Sequence, residues 1–332
     1  MADDLKESGK SIEVIKNLEP KEDTGPKEYF ISDFKELADD SEELNFEHQR
    51  IGSISHLERF KNVKFICFRT NLIKRIENLS CCSESLTQLE FYDNQLEKIE
   101  NLETLKNLFN LDLSFNRIRI IENLEKLTNL EKLFIVNNKI SEIRNLSTLK
   151  NVKMLELGSN RIRKIEGIDE LVKITELFLG RNKITKLENL DRLEQLSLLS
   201  IQNNRITKLE NIHMLVNLKE LYISFNGIKI IEGLDTLVNL EILDIGNNFI
   251  KSFDGLDKLT SLTDLWANNN DIDDWNETIK LTNLKKLTTL YLERNPIYFA
   301  DKDRNSRDTG YERKLLLQLP GLKQLDANPT GR

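Results

Sequence analysis

Carboxylates, aromatic rings, thiols and imidazoles are the groups of this chain that could carry chemistry. Acid–base or metal chemistry needs several such groups to converge. Here the carboxylates recur in single file on equivalent positions of a repeat, so they line a surface rather than meet at a point. The three cysteines (Cys67, Cys81, Cys82) and three histidines (His48, His56, His213) show no metal-ligand spacing. No glycine-rich phosphate loop, nucleophile elbow, Cys-x-x-Cys pair or His-Glu-x-x-His is present. The expectation is a chain with no catalytic residue, no metal and no cofactor, and not an enzyme.

One row of residues points to a different chemistry. Four residues before each repeating asparagine the chain carries Glu90, Asp112, Phe134, Glu156, Phe178, Ser200, Tyr222, Asp244, Trp266 and Tyr291; Asn45 and Cys67 extend the row upstream. Large rings that no core packing selects are costly to leave in water. Rings supply desolvated contact area, and carboxylates pair with Lys or Arg of a partner. Neighbouring positions add Asp264 and Glu293, with Tyr92, Phe115 and Phe225 nearby. The row reads as an extended protein-binding surface for a globular partner with a basic face, burying about 2,000 Å².

The elements that position this row follow from the asparagines themselves. Asn94, Asn116, Asn138, Asn160, Asn182, Asn204, Asn226 and Asn248 are spaced by 22 residues, each in the frame Leu-x-x-Leu-x-Leu/Ile-x-x-Asn-x-Ile/Leu. A period this strict means one small unit stacked on itself. Leu-x-Leu is a short strand with alternate residues facing the core, as at Leu111 and Leu113. The asparagine ends the strand and can satisfy buried backbone groups with its amide. Ile118, Ile121, Leu124 and Leu127 complete the core from the far side. So short a unit leaves room for turns or 3₁₀ segments opposite the strand. The fold class is thus α/β: a solenoid of about twelve repeats over 41–297, with a curved parallel sheet on its concave face. Twelve coils at about 4.8 Å give an arc of roughly 55–60 Å. The second repeat carries one extra residue near Cys81-Cys82, and the eleventh carries three around Trp275 to Lys280. No proline occurs between Pro26 and Pro296, which suits an unbroken ladder.

Residues 1–28 are polar and read as a disordered tail. Phe30, Phe34 and Leu37 recur at helical spacing behind Ser32, which predicts a capping helix over 29–40. Tyr311 to Asp326 supply a helix and an apolar cover within a C-terminal cap and tail over 298–332. The formal net charge of -7 disfavours nonspecific nucleic-acid binding. No apolar run approaches a membrane span, the N-terminus lacks a signal-peptide core, and the sparse thiols fit a reducing compartment. Asn78-Leu-Ser and Asn145-Leu-Ser match the glycosylation pattern and are read as accidental. Arg117, Lys139, Arg161, Lys183 and Arg205 follow their asparagines and stack on one rim, which reads as a solvated edge able to meet an acidic segment or RNA. Glu100, Glu122, Glu166, Glu188, Glu210 and Glu232 form a further row, expected to pair locally, with Lys98 among others.

Over about residues 41–326 the chain resembles the nuclear leucine-rich-repeat regulatory subunits of protein phosphatase 1. The resemblance rests on repeat length and number, on segments such as Ile99-Glu-Asn-Leu and Ile165-Glu-Gly-Ile, and on the C-terminal cap. In that family the phosphatase-binding residues are aromatic and acidic. The matching positions here are Asp112, Phe134, Glu156, Phe178, Asp244, Asp264, Trp266 and Tyr291. The resemblance implies a non-enzymatic subunit whose concave face holds the catalytic subunit of protein phosphatase 1, with a further phosphatase inhibitor protein in a ternary complex. It implies control of assembly, metal loading and mitotic activity, in the nucleus and also the cytoplasm, without a Val-x-Phe docking peptide. On its own the chain is expected to be a monomer that binds neither nucleic acid nor membrane. The alternatives within the same repeat class are an adaptor in an RNA–protein (splicing) complex and a cytoskeletal scaffold.

Overall fold

The computed structural model describes residues 29–301 and 303–330, so the tail expected over 1–28 lies outside the described residues. Each Leu-x-Leu frame forms a strand of three residues. They are β1 (Glu43–Asn45), β2 (Phe65–Cys67), β3 (Gln88–Glu90), β4 (Asn110–Asp112), β5 (Lys132–Phe134) and β6 (Met154–Glu156). After them come β7 (Glu176–Phe178), β8 (Leu198–Ser200), β9 (Glu220–Tyr222), β10 (Ile242–Asp244), β11 (Asp264–Trp266) and β12 (Thr289–Tyr291). All pair in parallel with their sequence neighbours, in one sheet. The central residue of every strand is buried, so one continuous apolar core runs the length of the solenoid. At the N-terminal end phenylalanine replaces leucine as filler: Phe46 and Phe68 stack at 5.5 Å, and Phe68 and Phe91 at 5.3 Å.

The asparagines hold successive coils together. Asn160 Oδ1 accepts from Ile140 N at 3.0 Å, while its Nδ2 donates to Ile135 O at 2.8 Å and Leu157 O at 3.1 Å. The first and second of these partners belong to the preceding coil. The ladder reaches further than the strict spacing, to Asn71, Asn270 and Asn295.

Two more asparagine ladders accompany it. In the first, Asn101 Nδ2 donates to Ile76 O at 2.7 Å, and Asn123, Asn145, Asn189 and Asn211 repeat the contact. These residues all adopt positive φ, which Asn tolerates better than other side-chain-bearing residues. Asn78 and Asn145, the two glycosylation-pattern residues, have their amides engaged here. In the second, Asn129, Asn151, Asn217 and Asn239 donate across coils on the outer surface.

Where the positive-φ position is glycine, the coils leave no room for a side chain. A Cβ on Gly167, at φ +67, would lie 2.6 Å from Ile143 O. Gly167→Ala should therefore destabilise the solenoid by about 2 kcal/mol, the scale of a left-handed alanine with an added backbone clash. Urea unfolding of the variant reads this directly, and an unchanged midpoint would contradict it.

Opposite the sheet each coil makes two successive turns, as in Leu127 N to Leu124 O at 2.9 Å and Leu130 N to Leu127 O at 3.0 Å. The extra residues of the second and eleventh repeats appear here as added structure. One forms the 3₁₀ turn Ser80–Cys82; the others form helix α1 (Trp275–Lys280), followed by the 3₁₀ turn Leu281–Asn283.

The N-terminal cap differs from expectation. In place of a helix over 29–40 there is a single 3₁₀ turn, Ile31–Asp33, with Ser32 inside it rather than capping it. Phe34 is fully buried against Phe46, whereas Phe30 stays 48% exposed. The backbone leaves the helical region at Phe34, with φ -90 and ψ 66, and the Arg59 guanidinium binds the freed segment at Phe34 O (2.9 Å) and Leu37 O (3.0 Å). At the other end, α2 (Tyr311–Gln318) sets Tyr311 in the core, 5.0 Å from the Tyr298 ring. Strand β13 (Gln324–Leu325) adds to β12, and antiparallel β14 (Asn328–Pro329) covers the open edge with a residue that lacks an N–H.

Candidate functional site

Three-residue strands present two side chains outward for each one buried. The last residue of every strand stands in register with the last residue of the next. Asp112 pairs with Phe134, Phe134 with Glu156 and Glu156 with Phe178. Beyond Ser200 the row continues through Tyr222, Asp244, Trp266 and Tyr291. Eight of the ten residues singled out from the sequence therefore form one line, roughly 38 Å long at about 4.8 Å per strand. The other two flank it on the same face: Asp264 lies two residues before Trp266, and Glu293 two after Tyr291.

The line divides into two halves of different character. In β5 to β7, Phe134 and Phe178 stand apart, each beside Glu156, all three half-buried. In β9 to β12 the rings merge. Tyr222 and Trp266 approach to 5.9 Å across the strand between them, and Trp266 meets Tyr291 at 5.9 Å. Trp266 Nε1 is buried on the sheet face without an acceptor. Tyr222 Oη donates to Glu220 at 2.7 Å, and the Tyr291 hydroxyl accepts from Gln324 Nε2 at 2.6 Å. Hydroxyl bonds of this kind fix ring orientation before any partner arrives.

Two members of the row are not exposed as expected: Cys67 and Ser200 are buried, at 3% and 6%. Both side chains are short, and Ser200 sits between Phe178 and Tyr222. Burial pushes the Cys67 thiol up to about 12.

Apart from Glu90, which meets Arg69 at 3.6 Å, the carboxylates of the row make no ion pair among the described residues. Desolvation raises the pKa of Glu90, Asp112, Glu156 and Asp244 above the ordinary carboxylate value. Asp244 lies between the Tyr222 and Trp266 strands and is held by Ser224 Oγ at 2.6 Å and Gly246 N at 3.0 Å, with no ion pair. A carboxylate whose folded pKa is raised ionises first in the unfolded chain. Its penalty on the fold is absent below the unfolded pKa and complete above the folded one. Asp244→Asn should thus raise the melting temperature at pH 7 and leave it nearly unchanged at pH 3. A drop at pH 7 would show the charge to be stabilising instead.

Arg69 is a contributor that sequence reasoning missed. It lies 3.6 Å from Glu90 and covers the Tyr92 ring at 4.5 Å, and Tyr92 meets Phe115 at 4.6 Å. This group closes the N-terminal end of the face. The signal was available: Arg69 stands two residues beyond the row, on the same face as Glu90. In the glutamate row, Glu100 is drawn to Arg75 at 3.2 Å rather than to Lys98. Among the described residues no three His, Cys, Asp or Glu side chains converge as a metal site would require.

Comparison with known proteins agrees with this architecture. Residues 55–158 match a family described as leucine-rich repeat, and 150–192, 192–236 and 216–258 match leucine-rich repeats (2 copies). The protein phosphatase 1 regulatory subunit SDS22 of Saccharomyces cerevisiae is 42% identical over 115 residues, 33% of each chain. Its namesake in Schizosaccharomyces pombe is 46% identical over 75 residues, 22% of each. The matched segments thus span a third or less of these relatives. An internalin from Listeria monocytogenes superposes with a TM-score of 0.67 over 87% of both chains at 25% identity. The parallel ladder, the repeat matches and these relatives together place the chain among the leucine-rich-repeat proteins, as a solenoid similar to the regulatory subunits of protein phosphatase 1.

Proposed function

We propose that this chain is a non-enzymatic regulatory subunit that binds the catalytic subunit of protein phosphatase 1 through the concave sheet face. One observation carries the reading: a single register row in which half-buried rings alternate with desolvated carboxylates, Asp112, Glu156 and Asp244, that make no ion pair among the described residues. Such carboxylates gain most from a partner that brings Lys or Arg, because the cation relieves a penalty already present in the free protein. The rings supply the apolar contact that makes the charge pairing desolvated and specific. The names of the matched relatives supply the partner.

Binding of this kind has a pH signature. A cationic partner lowers the raised carboxylate pKa values, so complex formation releases protons as pH falls toward those values, and capture weakens with further acidification. The test is size-exclusion chromatography of the purified chain with the purified phosphatase catalytic subunit at pH 7.5 and over a descending pH series. A complex at pH 7.5 that loosens as the pH falls is expected; separate elution at pH 7.5 would end the reading. Control of the phosphatase in the nucleus and in mitosis, and assembly with a further inhibitor protein, belong to the same proposal.

A further inference from the structure

The flank beside the sheet holds a second surface. Two clefts mark its ends, and both are lined by the residues one, three and four places after the ladder asparagines. The cleft near the N-terminus includes Gln95, Lys74 and Arg75; the one near the C-terminus, of about 920 Å³, includes Phe249, Lys251 and Ile230. These positions therefore share one face. Between the clefts they carry the rim Arg117, Lys139, Arg161, Lys183 and Arg205. None of these five makes an ion pair among the described residues, although the chain has seven more acids than bases. Arg163, Lys164, Lys186 and Lys208, next to the rim, are equally free of ion pairs. Unpaired cations on successive coils, whose backbones lie about 4.8 Å apart, repel one another, and an anionic partner relieves that repulsion.

The basic run ends on apolar groups. Gly227 follows Arg205 on the rim, and then Phe249, 54% exposed, faces Ile230, 64% exposed, across the large cleft, with Lys229 and Lys251 in its lining. Large apolar side chains left in water beside a cleft mark a site of contact.

We propose that this flank docks an extended acidic polypeptide segment that carries one large apolar residue, the acids on the rim and the apolar residue between Ile230 and Phe249. The dimensions set the ligand. Arg117 to Arg205 spans four coil steps, roughly 19 Å, which an extended peptide covers in about six residues. Two further coils to Phe249 take about three more. A polynucleotide fits less well, because the basic stretch from Arg117 to Arg205 carries no ring on which bases could stack and the neighbouring sheet face is acidic.

The test uses a fluorescein-labelled ten-residue peptide: six Glu and Asp residues, a three-residue Gly/Ser spacer and a Phe. Fluorescence anisotropy with the full chain should show binding that weakens steeply between 50 and 300 mM salt, on the order expected for screened charges. The double variant Arg161→Glu/Lys183→Glu should weaken it at least tenfold. Phe249→Ala, or Ser in place of the peptide Phe, should weaken it by about fivefold. All changed side chains are surface groups, and circular dichroism confirms that each variant is folded. Absence of binding, binding indifferent to either protein variant, or tighter binding of an oligouridine of ten nucleotides would overturn the proposal. The assay contains no phosphatase, so its outcome is independent of the sheet-face reading.

Discussion

If the sheet face is the phosphatase-binding surface, Phe178→Ala and Trp266→Ala should each weaken capture of the catalytic subunit by about 30-fold or more, and the double variant should abolish it in a pull-down at micromolar protein. The size follows from where the rings sit. Each is half-buried within the row, with a carboxylate as one register neighbour (Glu156 or Asp244), the setting in which truncation typically removes about 2 kcal/mol or more of binding energy. Trp266 is the heavier loss, because its ring joins Tyr222 and Tyr291 at 5.9 Å each and its Nε1 donor is unpartnered in the free protein. Both side chains point away from the core, so the melting temperature should move by no more than a few degrees. If the two single variants capture the phosphatase as well as the parent chain, the sheet face is not the binding surface.

The largest stability effect lies elsewhere, in the asparagine ladder. Asn160→Ala should lower the unfolding free energy by about 3 kcal/mol. Its removal orphans Ile140 N–H, which bonds only to Asn160 Oδ1, and Ile135 C=O, which bonds only to Asn160 Nδ2. Each orphaned buried group costs about 1–3 kcal/mol. Leu157 O loses one partner but keeps Asn182 Nδ2 at 3.0 Å. A contrasting variant isolates the cause. Asn189→Gly deletes one cross-coil bond, to Ile165 O, at a position where the solenoid already uses Gly167, Gly233 and Gly255. Its cost should stay within about 1 kcal/mol, since glycine adopts positive φ freely. Equal losses in the two variants, read by urea unfolding, would mean that the ladders do not differ as their bonding indicates. Because each coil touches only its neighbours, hydrogen exchange should rise first in the coils flanking residue 160.

How much of this was legible beforehand depends on periodicity. Strand register is legible because a parallel ladder of identical units allows no other alignment: Leu111 must meet Leu133, so Asp112 must meet Phe134. The candidate row could therefore be listed residue by residue. The ends were harder, because they break the period. At the N-terminus Phe30, Phe34 and Leu37 have helical spacing, yet the backbone leaves the helical region at Phe34, whose carbonyl is bound by Arg59, 25 residues away. Propensity within a segment carries no information about a distant donor of that kind. Arg69 escaped notice for a related reason: it belongs to an early coil and matters through contacts on the next one, with Glu90 and the Tyr92 ring.

By itself, then, the sequence determined the solenoid, its parallel register and the identity of the outward row, because a fixed repeat length leaves the backbone one way to stack. Tertiary structure alone decided how far each row member is buried, which rings close on one another, and which carboxylates lose their water. Those properties depend on side chains contributed by neighbouring coils. Tyr222 and Trp266 are 44 residues apart in the chain and 5.9 Å apart in space, with Asp244 on the strand between them.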